Sequence, residues 1–292
     1  MKEKVKKSKH KKLYLNRSAA GNITIDIFLV LIGLFMVLPM VYAISNSVKP
    51  LSELWIYPPK FFAQNPTLSN FRDLFNLMSD SWVPFSRYIA NTVLVAVIGT
   101  FGHVIIASIC AYAFAKHNFP GRELMFKTVV FSLMFSAVVT EVPSYLIMSK
   151  LHMINTFWAY ILPAFSSSLG LYLMKQFMET NIPDALIEAA HIDGAKEGVV
   201  FWRVVMPLVK PAWLTLVIFS FQNLWKTGST ALIRSEELKT LSYALSQVAA
   251  GGIARQGTSA AAAVIMMLVP IIVFVVSQSN VVETVASSGL KD

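Results

Sequence analysis

Residues 27–48 carry no charge, and the chain returns repeatedly to apolar runs with few or no charges. One such run can be buried in a soluble domain, but several cannot share a single aqueous core. A helix that crosses a bilayer needs about 20 mostly apolar residues. Across 292 positions, 55 % are hydrophobic and only 14 % charged, against about 25 % charged in an ordinary soluble domain. The runs fall at residues 25–45, 89–115, 124–148, 157–178, 211–225 and 259–277. The expected fold class is therefore an all-α integral membrane protein with six transmembrane helices.

The net charge of +9 would suit nucleic acid if it were spread over a folded face. Instead, Lys2, Lys4, Lys6, Lys7, Lys9, Lys11, Lys12 and Arg17 all precede the first span. A basic flank beside a span is a cytoplasmic anchor at anionic lipid, so residues 1–24 read as a basic cytoplasmic N-terminus and no nucleic acid is expected. The first apolar stretch exceeds the 7–15 residues of a signal-peptide core, and it reads as a retained span. With the N-terminus inside, 16 Lys and Arg fall on the cytoplasmic side and 9 on the other, which places both termini in the cytoplasm. Cys110 is the only cysteine and sits in an apolar run; neither a disulfide framework nor a thiolate metal site is expected. No Gly-rich phosphate loop is present, so the chain is not expected to hydrolyse ATP.

Between the fourth and fifth runs lies a polar island, residues 181–210. Pro183 suits a first helical turn, and Asp184 complements the positive end of the helix dipole. Glu188, Ala189 and Ala190 continue the helix. Gly194 stands where a left-handed C-cap is needed, and a second helix is expected from about Ala195 to Pro207 or Pro211. The two alanines let another surface approach the backbone, and Glu188 adds one charge suited to a cation. Helix geometry alone also suits an amphipathic interfacial helix with Glu188 and Asp193 solvated.

In order and spacing this island resembles the EAA loop of ATP-binding cassette importer permeases: Glu-Ala-Ala, three residues, Gly, nine residues, then Ile-x-Leu-Pro, here Val204-Val205-Met206-Pro207. Further similarity to the carbohydrate branch, the maltose-permease-like subunits, lies in Ser47-Val48-Lys49-Pro50, Thr67-Leu68-Ser69-Asn70-Phe71, Asn91-Thr92, Thr240 to Ser246, Gly251 to Arg255 and Ser287 to Lys291. The resemblance implies a six-span permease domain over residues 25–292 of a type I importer in a bacterial plasma membrane. It implies Glu188, Ala189, Ala190, Asp193, Gly194 and Pro207 as the ATPase-coupling residues. It also implies a second homologous permease, two ATP-binding subunits holding ATP and magnesium, an extracellular solute-binding protein and a carbohydrate cargo of oligosaccharide size. This subunit would need no cofactor or metal of its own.

Planar hydrogen-bonding groups beside aromatic faces suit sugars, and Gln222, Asn223 and Trp225 cluster at the end of the fifth run. The same residues also suit an interface belt. Glu141 and His103 are ionisable groups inside spans. Glu141 is a second candidate for the substrate path, and His103 reads as a neutral interhelical hydrogen-bonding group. A proton-coupled carrier built on that pair is the alternative, and a non-transporting membrane scaffold is a third reading.

Overall fold

The computed structural model describes residues 19–79 and 82–288. The basic residues before position 18 and the last four positions, on which part of the charge count rests, lie outside them. The described residues contain helices and no strand. In order the helices are α1 Ala19–Ser47, α2 Leu51–Leu54, α3 Ser69–Ser79, α4 Phe85–Lys116, α5 Arg122–Ser132, α6 Ala137–Lys150 and α7 Trp158–Phe165. Then follow α8 Ser168–Asn181, α9 Asp184–Ile192, α10 Glu197–Val199, α11 Met206–Leu208, α12 Lys210–Trp225, α13 Leu241–Ala249 and α14 Gln256–Ser288.

The axis is α4. Its buried positions Thr92, Val95, Ala96, Gly99, Thr100, His103, Val104, Ala107, Ser108 and Ala111 recur at the three-and-four spacing of one helical face. Most are small, and small residues let backbones approach inside a membrane. A side chain at Gly99 would collide with Leu224 of α12, and one at Gly170 of α8 would collide with His103. So α12 and α8 lie against α4, with α7 and α13 beside them. The contrast is α1, which packs along α14 and whose most apolar 18-residue window has no buried residue. Only hydrocarbon or another protein can cover such a face.

Among the described residues, three helical stretches are long and apolar enough to cross a membrane: Gly21–Ser47, Phe85–Lys116 and Gln256–Gln278. A fourth crossing is available if Glu197–Leu208 and Lys210–Trp225, bent by 79°, count as one. The expected third and fourth spans are each two helices. In the third, α5 ends before Leu133 and α6 restarts after Ser136. In the fourth, α7 stops after Pro163, where the Ser166 hydroxyl donates to the Pro163 carbonyl at 3.0 Å. Serine hydroxyls offer the backbone an alternative to the helical ladder. The two breaks meet, because the Ser132 hydroxyl donates to the Ser168 hydroxyl at 2.6 Å.

The end of the molecule away from α9 is tied by buried polar groups from the segments of resemblance. Lys49 is 3 % exposed, and its Nζ donates to Asn46 Oδ1 at 2.8 Å and the Lys60 carbonyl at 2.5 Å. Asn70 Nδ2 donates to the carbonyls of Ser47 and Lys49. Asn91 Nδ2 donates to those of Glu237 and Lys239, and Thr92 Oγ1 accepts from the Leu241 amide at 2.7 Å. Most of these are side chain to backbone bonds, so they fix loop paths rather than form a site.

Candidate coupling segment and polar cavities

Pro183 is the N-cap of α9 rather than a residue of its first turn, and Asp184 opens the helix. At the other end Gly194 has φ +80°, the left-handed conformation its position called for. The Gly194 amide donates to the His191 carbonyl at 2.9 Å, and the Ala195 amide to the Ala190 carbonyl at 3.0 Å. This pair of bonds is the Schellman closure of a helix. Nothing lies within 4 Å of where a Cβ on Gly194 would be. The glycine is required by torsion alone.

Two polar anchors hold α9 to the end of α4. Lys116, with its side chain 6 % exposed, donates to the Ile182 carbonyl at 2.5 Å and to Asp184 Oδ1 at 2.7 Å. Glu197 is the second anchor. Its carboxylate accepts the Tyr112 hydroxyl at 3.0 Å and lies 3.2 Å from His191 Nε2 and 3.7 Å from His117 Nε2. Ile187, Ala190 and Ala195 pack on the adjoining apolar core. No α9 residue is buried: Glu188, Ala189, Asp193 and Gly194 are exposed, and Ile192 is 86 % exposed. The helix is gripped along one edge and bare along the other.

The second helix departs from expectation. A brief α10 passes into a π-helix, Val200–Val205, before α11. Pro207 lies in the first turn of α11. Pro211 has no N–H to give the Pro207 carbonyl, and the chain bends there. Trp213 Nε1 donates across the bend to the Met206 carbonyl at 3.2 Å.

The expected cluster on α12 is not one site. Successive helical residues point about 100° apart. Gln222 lines a cavity of about 530 Å³ with Met40, Lys226 and Phe274. Asn223 opens into a different cavity, about 210 Å³, at the break between α7 and α8, with Ser167, Ser220 and His103. Trp225 is 3 % exposed and packs in the core, its ring stacked on Phe221. Its indole Nε1 donates to the Met266 carbonyl at 3.2 Å, the carbonyl that Pro270 in α14 leaves without its helical donor. Glu141 is exposed and lines a third cavity of about 390 Å³ with Tyr145, Ser229 and Leu232. His103 is 3 % exposed, and its Nδ1 has no hydrogen-bond partner among the described residues. An interhelical hydrogen bond of the expected kind joins the His103 ring to the Ala164 backbone of α7.

Lys116, Tyr112, His117 and Glu197 were not singled out from the sequence. The available signal was Glu197, which opens the helix after Gly194, where an acid favours the dipole. Among the described residues no group of three or more potential metal-binding side chains occurs.

Residues 19–286 match the family described as binding-protein-dependent transport system inner membrane component. The chain belongs to this family. Similar relatives include Protein LplC of Bacillus subtilis, 32 % identical over 71 % of this chain and 68 % of that one. Another is the sulfoquinovosyl glycerol transport system permease protein SmoH of Agrobacterium fabrum, 32 % identical over 89 % of each. Among solved structures, a bacterial ABC transporter involved in import of the acidic polysaccharide alginate has a chain matching at TM-score 0.74. That match is 23 % identical over 90 % of this chain and 98 % of the other, and it shares the fold. As an inner membrane component of a transport system, this family member is a permease subunit, and ATP hydrolysis falls to partner subunits.

Proposed function

We propose that this permease carries a carbohydrate, of oligosaccharide size, into a bacterial cytoplasm as one of two homologous permeases, with both termini cytoplasmic. Two ATP-binding subunits supply the energy, and an extracellular solute-binding protein delivers the sugar. The six crossings are α1, α4, the broken pairs α5–α6 and α7–α8, α12 and α14. The observation that carries the reading is α9: a helix capped by a left-handed glycine, anchored through Lys116 and Glu197 to a spanning helix, with Glu188, Ala189 and Ile192 presented outward. Such an element transmits a push on its bare edge to α4 and, past Pro207, through the bend to α12. Names of relatives with sugar cargoes support the substrate class.

For the path, Asn223 with Ser167 and Ser220 supplies hydrogen-bonding groups beside two helix breaks. Irregular backbone at membrane depth is tolerated where it lines a cavity. Gln222 and Glu141 line neighbouring cavities and are weaker candidates. In the reconstituted importer, a single Ala189→Cys in a Cys110→Ala background should crosslink to an ATP-binding subunit. Uptake of a fluorescent oligosaccharide should need ATP and survive an uncoupler. Uptake that collapses with the proton gradient and ignores ATP would establish a secondary carrier instead.

A further inference from the structure

A cavity of about 740 Å³ lies at the α9 end of the molecule, between the end of α4, the start of α5 and α8. Its lining includes Asn118, Arg122, Glu123, Phe126, Lys127 and Lys175. Three cations and one carboxylate line it, and a second carboxylate, Glu179, lies behind two of the cations. Lys175, its side chain 13 % exposed, is held 2.6 Å from Glu179 and stands 4.3 Å over the Phe126 ring. Arg122 donates to Asn118 Oδ1 at 2.7 Å and reaches Glu179 at 3.5 Å. That leaves most of its five N–H donors unused. Lys127 is 75 % exposed and has only a loose contact, 3.6 Å, with Glu123. The cavity therefore offers donors and positive charge that internal pairing does not consume.

What lies beside it selects the ligand. No residue of α5 is buried, and Leu124, Met125 and Phe131 are 72 %, 55 % and 59 % exposed. A free inorganic anion has no use for that surface. An amphiphile does, with its phosphate at the start of α5 and its acyl chains along the helix. The cavity adjoins the last turn of the long apolar α4, the level at which headgroups lie.

We propose that this cavity binds the headgroup of an anionic phospholipid. The geometry stands apart from the transport reading, which enters only in assigning the site to the cytoplasmic leaflet. Each basic residue near an anionic surface is worth roughly a fivefold change in binding.

The test is native mass spectrometry of the assembled importer, released from vesicles containing equal phosphatidylglycerol and phosphatidylcholine. Wild type should retain phosphatidylglycerol selectively. Lys127→Ala should retain roughly fivefold less, and Arg122→Ala/Lys127→Ala roughly 25-fold less. Glu123→Gln removes the lining carboxylate and should retain more, a gain that misfolding cannot mimic. Lys60→Ala, on the opposite end, should match wild type. Equal retention of the two lipids would overturn the proposal, as would retention unchanged in Lys127→Ala and Glu123→Gln. Displacement of the lipid by inorganic phosphate would instead make it a soluble-anion site.

Discussion

Gly194 gives the sharpest test of α9 as a lever, because its surroundings separate two explanations that usually coincide. The position has φ +80°, and no atom lies within 4 Å of a would-be Cβ. Replacing it therefore costs torsional strain and no collision within this chain. For an ordinary L residue that strain is about 1–2 kcal/mol, a factor of roughly 5–30 in the population of the closed turn. Asn tolerates the left-handed region better than Ala, and a β-branched Val tolerates it worst. Coupling should therefore fall in the order Gly, Asn, Ala, Val. The assay is binding-protein-stimulated ATP hydrolysis and sugar uptake in the same proteoliposomes, with retention of the ATP-binding subunits on affinity purification. Gly194→Asn should keep most activity and Gly194→Val should lose uptake, with membrane insertion unchanged in both. Activity that instead tracks side-chain volume, with Asn worse than Ala, would refute the torsional argument. It would locate the requirement in close contact with a partner surface.

Trp225→Phe should destabilise the protein by about 1 kcal/mol, because the Met266 carbonyl, in a part-buried site, loses its donor. Adding Pro270→Ala should recover most of that loss in thermal unfolding, since residue 270 then has an N–H to give. Lys116→Met should weaken attachment of α9 by about 1–3 kcal/mol through the orphaned Ile182 carbonyl. Asp184→Asn, at a carboxylate 78 % exposed, should cost under about 1 kcal/mol; proteolysis within residues 181–197 reads both. Asn223→Ala should raise the KM for sugar uptake severalfold with the complex intact, and an unchanged KM would remove it from the path.

Long apolar runs made α1, α4 and α14 legible, and Lys210–Trp225 fell close to the expected fifth span. Gly194 was legible for a different reason: a lone glycine after a helical polar island has few conformational uses. The breaks in the third and fourth spans were not, because Ser132–Ser136 stays largely apolar and the dip at Ser166–Ser168 is only three residues long. There the ladder yields to serine hydroxyls and to tertiary contacts such as Ser132 with Ser168. The divergence of Gln222, Asn223 and Trp225 follows from rotation about α12, which adjacency in sequence disguises. Glu197 went unnoticed because two of its three partners, Tyr112 and His117, come from the end of α4, far away in sequence.

The π-helix at Val200–Val205 has a consequence for how the length of this chain can change. A deletion inside an α-helix turns everything beyond it by about 100°, which here would swing α12 off α4. A π segment closes its bonds over one more residue than α, so loss of one residue lets the same stretch rewind as α with little rotation downstream. A single-residue deletion between the glycine turn and Pro207 should therefore be absorbed at Val200–Val205, whereas a deletion within α9 would turn Ala190 away from its core. A single-residue deletion has one place in this loop where it does little harm, and it lies outside α9.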